Sequence, residues 1–85
     1  MYSRDEILER VRGALHELFK LEKTAIAAES RLYEDLEIDS IDVVDLMDEV
    51  QRFAGCKVTA EDFRAVRTVG DVVEVIDRLQ RAAEG

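Results

Sequence analysis

Proline and tryptophan are missing from this 85-residue chain, cysteine occurs once, glycine four times, and aromatic residues make up only 6%. A chain so poor in the residues that tight turns require is badly suited to a sheet of short strands joined by hairpins. The lone Cys56 excludes an intramolecular disulfide and a zinc site built on cysteine pairs, and it suits a reducing compartment. No apolar stretch is long enough for a signal peptide or a membrane span, so the expectation is a cytoplasmic protein. A basic stripe is lacking as well. The net charge of −8 would repel a phosphate backbone, which argues against nucleic acid and for basic protein partners.

What remains is rich in aliphatic and charged residues, 47% hydrophobic and 38% charged. That is too apolar for a disordered chain, and the length suits one core without a deep active site, so residues 1–85 are expected to form a single domain. The charge is concentrated. Residues 32–51 hold eight carboxylates (Glu34, Asp35, Glu37, Asp39, Asp42, Asp45, Asp48 and Glu49) and no lysine or arginine, whereas the other residues carry twelve acidic and twelve basic groups. The net charge is therefore one patch. Like charges at helical neighbour spacing, such as Asp42 with Asp45, are expected to strain the helix that bears them.

Hydrophobic periodicity places four helices. Ser3 and Glu6 have capping-box spacing, and Ile7, Leu8, Val11, Leu15, Leu18 and Phe19 recur on one stripe, which predicts a first helix over about residues 4–20. From Leu21 to Ile38 the period fades into a long ordered loop anchored by Ile26, Leu32, Tyr33, Leu36 and Ile38, a length that calls for a functional reason. Asp39 is placed to cap a second helix over about 40–54, with Asp42 at its third position, Val43, Val44, Leu46, Met47, Val50 and Phe53 following, and Gly55 as its left-handed stop. Thr59 is placed to cap a short helix through Glu61, Asp62 and Phe63 that ends near Val66. Thr68 with Asp71 then opens a last helix over about 69–82, striped by Val69, Val72, Val73, Ile76 and Leu79. The fold class is thus all-α, a bundle of three long helices and one short, with a long loop between the first and second.

Candidate chemistry gathers in Glu34-Asp35-Leu36-Glu37-Ile38-Asp39-Ser40-Ile41-Asp42, where a serine stands at the first turn of a helix inside the acidic patch. That position exposes the hydroxyl and sets free backbone N–H groups beside it, a setting that accommodates a phosphate ester. An ordinary polar residue fits the position equally well. Asp39-Ser40-Ile41 resembles the Asp-Ser-Leu modification motif of the acyl carrier proteins. Leu32-Tyr33-Glu34-Asp35-Leu36 is similar to that family's approach to its serine, Asp42, Val44, Asp45 and Leu46 to its recognition helix, and Arg67 to Val73 to the start of its last helix. The likeness runs in register over about residues 5–80.

What the resemblance implies is a carrier without catalytic residues of its own. A phosphopantetheinyl transferase would esterify Ser40, flanked by Asp39 and Ile41, with the 4′-phosphopantetheine arm of coenzyme A. Acyl intermediates would then ride as thioesters to acyl-transfer, ketosynthase and related enzymes of fatty-acid or polyketide-type biosynthesis. Those partners would dock on Glu34, Asp35, Asp42, Val44, Asp45, Met47 and Asp48 of a monomer. Val44, Met47, Val58, Phe63, Val66 and Ile76 are candidates to shelter the acyl chain. Three segments depart from the family pattern: Glu37 stands where many members have glycine, Asp48 where an apolar contact residue is common, and Cys56-Lys57-Val58-Thr59 where proline is frequent. The sequence looks closer to specialised carriers such as those of aryl-polyene pathways than to peptidyl carriers.

Three other readings compete. Asp35, Glu37 and Asp39 have the spacing of calcium-loop ligands, but Ser40 replaces the glycine of the sharp turn and Leu46 the bidentate glutamate, so no dedicated metal site is expected. A serine hydrolase would need a base and a nucleophile elbow, and the one histidine, His16, belongs to the first helix. An unmodified helical interaction module remains the alternative from another class.

Overall fold

Ser3 and Glu6 exchange hydrogen bonds across the first turn of α1 (Arg4–Phe19), the Glu6 N–H reaching Ser3 Oγ at 3.2 Å and the Ser3 N–H reaching the Glu6 carboxylate at 3.0 Å. These distances come from a computed structural model, which describes residues 2–55 and 57–84 apart from the side chains of Phe53, Ala83 and Glu84. The expectations for Phe53 and Cys56 lie outside the described residues. α1 closes at Lys20, which takes a left-handed conformation and donates its N–H to the His16 carbonyl. Ile7, Val11 and Leu15 form its fully buried stripe, with Leu8 and Phe19 packed beside them.

α4 (Val69–Glu84) runs antiparallel to α1. Gln80 brackets the backbone of Tyr2 with two hydrogen bonds, Arg4 pairs with Glu74 and stands 3.6 Å from Asp77, and Leu8 shares a cleft with Gly70 and Val73. Because α4 already begins beside Leu8, the last turn of α1 extends past it. Leu18, expected on the core stripe, is 38% exposed, whereas Phe19 beside it packs against the core.

The segment between α1 and α2 (Ser40–Ala54) carries a single 3₁₀ turn, Lys23–Ala25, and is held both by its own turns, such as the Ser30 N–H on the Ala27 carbonyl and the Asp35 N–H on the Arg31 carbonyl, and by contacts from outside. Arg12 on α1 donates to the Lys23 carbonyl at 2.8 Å. The N–H groups of Leu32, Val69 and Gly70 reach the carbonyls of Arg67, Ser30 and Ala28 at 2.8, 3.0 and 2.7 Å, and Arg31 and Thr68 form an isolated antiparallel bridge. This backbone pairing turns Leu32 inward, where it joins Ile26, Leu36 and Ile38 in the core. Tyr33, expected as another anchor, lies in the turn that follows and is 49% exposed.

α2 begins and ends where expected, at the Asp39 cap and at Gly55, whose φ is 70°. α3 (Ala60–Phe63) starts at the Thr59 cap but stops three residues before Val66, the end expected from the sequence. The N–H groups of Arg64 and Val66 bond the carbonyls three residues back, so the chain tightens into turns instead of propagating the helix. Thr68 and Asp71 cap the start of α4, the Asp71 N–H on Thr68 Oγ1 and the Thr68 N–H on the Asp71 carboxylate, both at 3.1 Å. α4 then reaches Glu84, two residues beyond the expected end. Val58, Phe63 and Val66 pack into the same core as Ile76, which closes the bundle over α2 and α4.

Candidate functional site

Asp39 is in an extended conformation, and its carboxylate accepts hydrogen bonds from the N–H groups of Ile41 at 3.0 Å and Asp42 at 2.9 Å. The Asp42 carboxylate turns back to the Asp39 N–H at 3.4 Å, which completes a reciprocal cap of the kind that favours helix initiation. Two N–H groups expected to lie free beside Ser40 are therefore already occupied by a side chain of the protein. Ser40 itself is the first residue of α2 and is exposed. Among the described residues its hydroxyl has no hydrogen-bond partner.

Buried neighbours fix that serine in space. Ile38 lies in the core two residues before it, with its N–H on the Leu32 carbonyl at 2.9 Å, and Val43 and Leu46 bury the inner face of α2 after it. Between Leu32 and Ile38 the chain must reverse to close that hydrogen bond, and Glu37 takes a left-handed conformation there, with φ at 55°. The left-handed region disfavours residues with a Cβ, which explains physically why glycine is common in the family at this position.

The acidic patch is only half uncompensated, although it holds no lysine or arginine of its own. Arg31, just before the patch, lies 2.8 Å from Glu34 and 3.5 Å from Asp35, and Arg52, just after it, lies 3.4 Å from Asp48 and 3.2 Å from Glu49. The Asp35 carboxyl is held below its ordinary range, first by the Arg31 backbone N–H at 2.9 Å and then by the Arg31 charge. Among the described residues Glu37, Asp39, Asp42 and Asp45 have no cation within ion-pair distance. The three- and four-residue spacing of each arginine from its acids is the signal in the sequence that marks these pairs.

Apolar groups complete the surface. Ile41 is 75% exposed and Val44 61% exposed, beside Asp42 and Asp45 on α2. The structure thus brings Asp42, Val44 and Asp45 together with Ile41, while Met47 leans on the core and Glu34, Asp35 and Asp48 are drawn to arginines. Of the six residues considered for sheltering an acyl chain, Val58, Phe63, Val66 and Ile76 are buried and Met47 half-buried, but Val44 faces water.

The other candidates are engaged elsewhere. Asp35 and Asp39 direct their carboxylates to backbone N–H groups, and among the described residues no three metal-ligating side chains converge. His16 holds its Nδ1 2.8 Å from the Leu21 carbonyl, which can only accept, so this nitrogen carries the proton. An exposed, unpartnered hydroxyl at the rigid end of a capped helix is suited to covalent attachment of a long flexible group, which needs access and a fixed pivot but no cavity.

Residues 9–76 match the family model described as the phosphopantetheine attachment site. The chain is 42% identical to acyl carrier protein 2 of Ralstonia nicotianae over 77 residues, covering 91% of this chain and 95% of that protein. It is 35% identical to the acyl carrier protein of Thermotoga maritima, covering 92% of this chain and 96% of that one. It is also 32% identical to the meromycolate extension acyl carrier protein of Mycobacterium leprae, covering 92% of this chain and 68% of that protein.

Proposed function

This chain belongs to the acyl carrier proteins, and from that premise we propose that Ser40 is the residue that bears its covalent 4′-phosphopantetheine, residues 1–85 forming one carrier domain. The protein is a carrier and not an enzyme; the arm supplies a terminal thiol on which acyl intermediates are held as thioesters.

One observation carries the assignment of Ser40. The chain has three serines. Ser3 Oγ accepts the Glu6 N–H and lies outside the matched residues, and Ser30 Oγ accepts the Ala27 N–H at 2.9 Å. Both hydroxyls serve local structure, whereas that of Ser40 is exposed at a helix start and has no hydrogen-bond partner among the described residues. In attachment, Ser40 Oγ bonds to the phosphorus of coenzyme A nearer the pantetheine, 3′,5′-ADP departs, and the hydroxyl proton goes to a base. Asp39 and Asp42 are committed to backbone N–H groups, so that base belongs to the phosphopantetheinyl transferase.

Partners of this family include that transferase and biosynthetic enzymes, and no helix among the described residues is long and apolar enough to cross a membrane. We place their docking centre on Asp42 and Asp45 with Ile41 and Val44, and Glu34, Asp35, Met47 and Asp48 at its rim. Acyl-transfer and ketosynthase enzymes would meet a monomer there, in the cytoplasm. Carboxylates not paired with a cation accelerate encounter with a basic surface, and exposed apolar side chains slow dissociation.

The test is the intact mass after incubation with coenzyme A and a promiscuous phosphopantetheinyl transferase. The protein should gain one phosphopantetheinyl group and Ser40→Ala should gain none, with an unchanged circular dichroism spectrum. Loading of the alanine variant, or modification mapped to Ser30, would defeat the assignment; no gain by the native chain would favour an unmodified interaction module.

A further inference from the structure

A helix N-terminus attracts phosphate because its first N–H groups have no partner inside the helix. At α2 those groups are largely taken. The Asp39 carboxylate holds the N–H groups of Ile41 and Asp42 at 3.0 and 2.9 Å, and the Asp39 carbonyl accepts that of Val43 at 3.1 Å. Among the described residues only the N–H of Ser40 itself is left in this turn without a partner. A phosphodiester on Ser40 Oγ would therefore meet one open donor and two carboxylates, Asp39 and Asp42. The nearest arginines in sequence do not relieve that repulsion, since Arg31 pairs with Glu34 and Asp35 and Arg52 with Asp48 and Glu49.

We propose that Asp39 is a positioning residue that keeps the phosphate of the arm off the protein: its carboxylate fills the anion site of α2, so the arm is tethered at Ser40 Oγ alone. This deepens the assignment of Ser40 and rests on it. A phosphate bound to the first turn would lay the start of the arm against α2, beside Ile41 and Val44, and would have to be released at every delivery. With Asp39 in that place the arm leaves the surface directly, and the docking face stays uncovered for the partner.

Asp39→Ala removes the acceptor, whereas Asp39→Asn keeps an oxygen in the cap. Backbone amide proton shifts are recorded before and after loading of Ser40 for the native chain and both variants, together with melting temperatures. In the native chain and in Asp39→Asn, loading should leave the Ile41 and Asp42 amides where they were. In Asp39→Ala both should move downfield as the phosphate takes their N–H groups, and the loaded form should melt above the unloaded one. A downfield shift of these amides on loading the native chain, or unmoved amides in loaded Asp39→Ala, would overturn the proposal. If the transferase refuses the alanine variant, phosphoserine incorporated at position 40 in both backgrounds supplies the phosphate and is read in the same way. A missing mass gain on the native chain would instead defeat the assignment of Ser40, a separate outcome that the phosphoserine comparison does not share.

Discussion

The Gly70 N–H donates to the Ala28 carbonyl across 2.7 Å, and a Cβ at Gly70 would stand 3.1 Å from that same oxygen. The close approach fastens the loop that leads to Ser40 onto the first turn of α4. Gly70→Ala would gain up to about 1 kcal/mol of helix propensity, less in a first turn than in a helix interior. Against this, the added methyl presses on a carbonyl that its own hydrogen bond holds in place, and such overpacking costs about 1–3 kcal/mol. The second effect should win, with a net loss of about 1 kcal/mol in urea unfolding. A variant as stable as the native chain would mean that the loop shifts freely.

Glu37 offers the opposite opportunity. Its φ of 55° carries a left-handed penalty of about 1–2 kcal/mol, which glycine avoids, while glycine adds about 0.5–1 kcal/mol of unfolded-state entropy to be lost on folding. Glu37→Gly should therefore raise stability by up to about 1 kcal/mol, and Glu37→Val should lower it, as read from melting temperatures. A melting point lowered by glycine would show that the Glu37 side chain contributes more than its backbone costs.

Acid should weaken the fold through the helix caps. The carboxyls of Glu6, Asp62 and Asp71 are held below their ordinary ranges, first by backbone N–H groups of Ser3, Thr59 and Arg67 respectively. A folded-state pKa below the unfolded one stabilises above the ordinary carboxylate range, about pH 4, and that contribution is lost as pH falls through the lower folded value. Melting temperature should thus fall below about pH 4, and Asp71→Asn should be less stable at pH 7 with a shallower acid slope. Equal slopes for the two proteins would remove Asp71 from this account.

Docking should depend on Asp45 more than on Asp48. Arg52 already lies 3.4 Å from Asp48, whereas Asp45 has no cation within ion-pair distance among the described residues. Asp45→Asn should lower acyl-transfer rates at low salt severalfold more than Asp48→Asn, and the difference should shrink at high salt as screening grows. Rates that respond alike to both substitutions would spread the docking centre along the whole helix.

An acyl chain sheltered in the bundle should raise the melting temperature with its length, since burial is worth about 0.8 kcal/mol per methylene. Phe63 and Val66 are the wall to yield, because α3 is one turn long and held by its Thr59 cap. Equal melting points for short- and medium-chain loaded forms would place the cargo outside.

The starts of the four α-helices and the stop of α2 are legible in the local sequence, whereas the ends of α3 and α4 are not. Ser3, Asp39, Thr59, Thr68 and Gly55 act through hydrogen bonds and backbone preferences within a few residues, so their effects are local and legible in order. The serine motif is legible for the same reason. Other features depend on groups distant along the chain and appear only in the folded structure: the clasp of residues 28–32 by residues 67–70, the exposure of Leu18, and that of Tyr33. The charge patch lies between these cases. Its acids are plain in the sequence, and so is the spacing that puts Glu34, Asp35, Asp48 and Glu49 within reach of Arg31 or Arg52, but that these arginines do turn toward them is a matter of side-chain placement. That placement leaves Asp42 and Asp45, beside Ile41 and Val44, without a cation within ion-pair distance among the described residues, where counting charges alone makes all eight carboxylates equivalent.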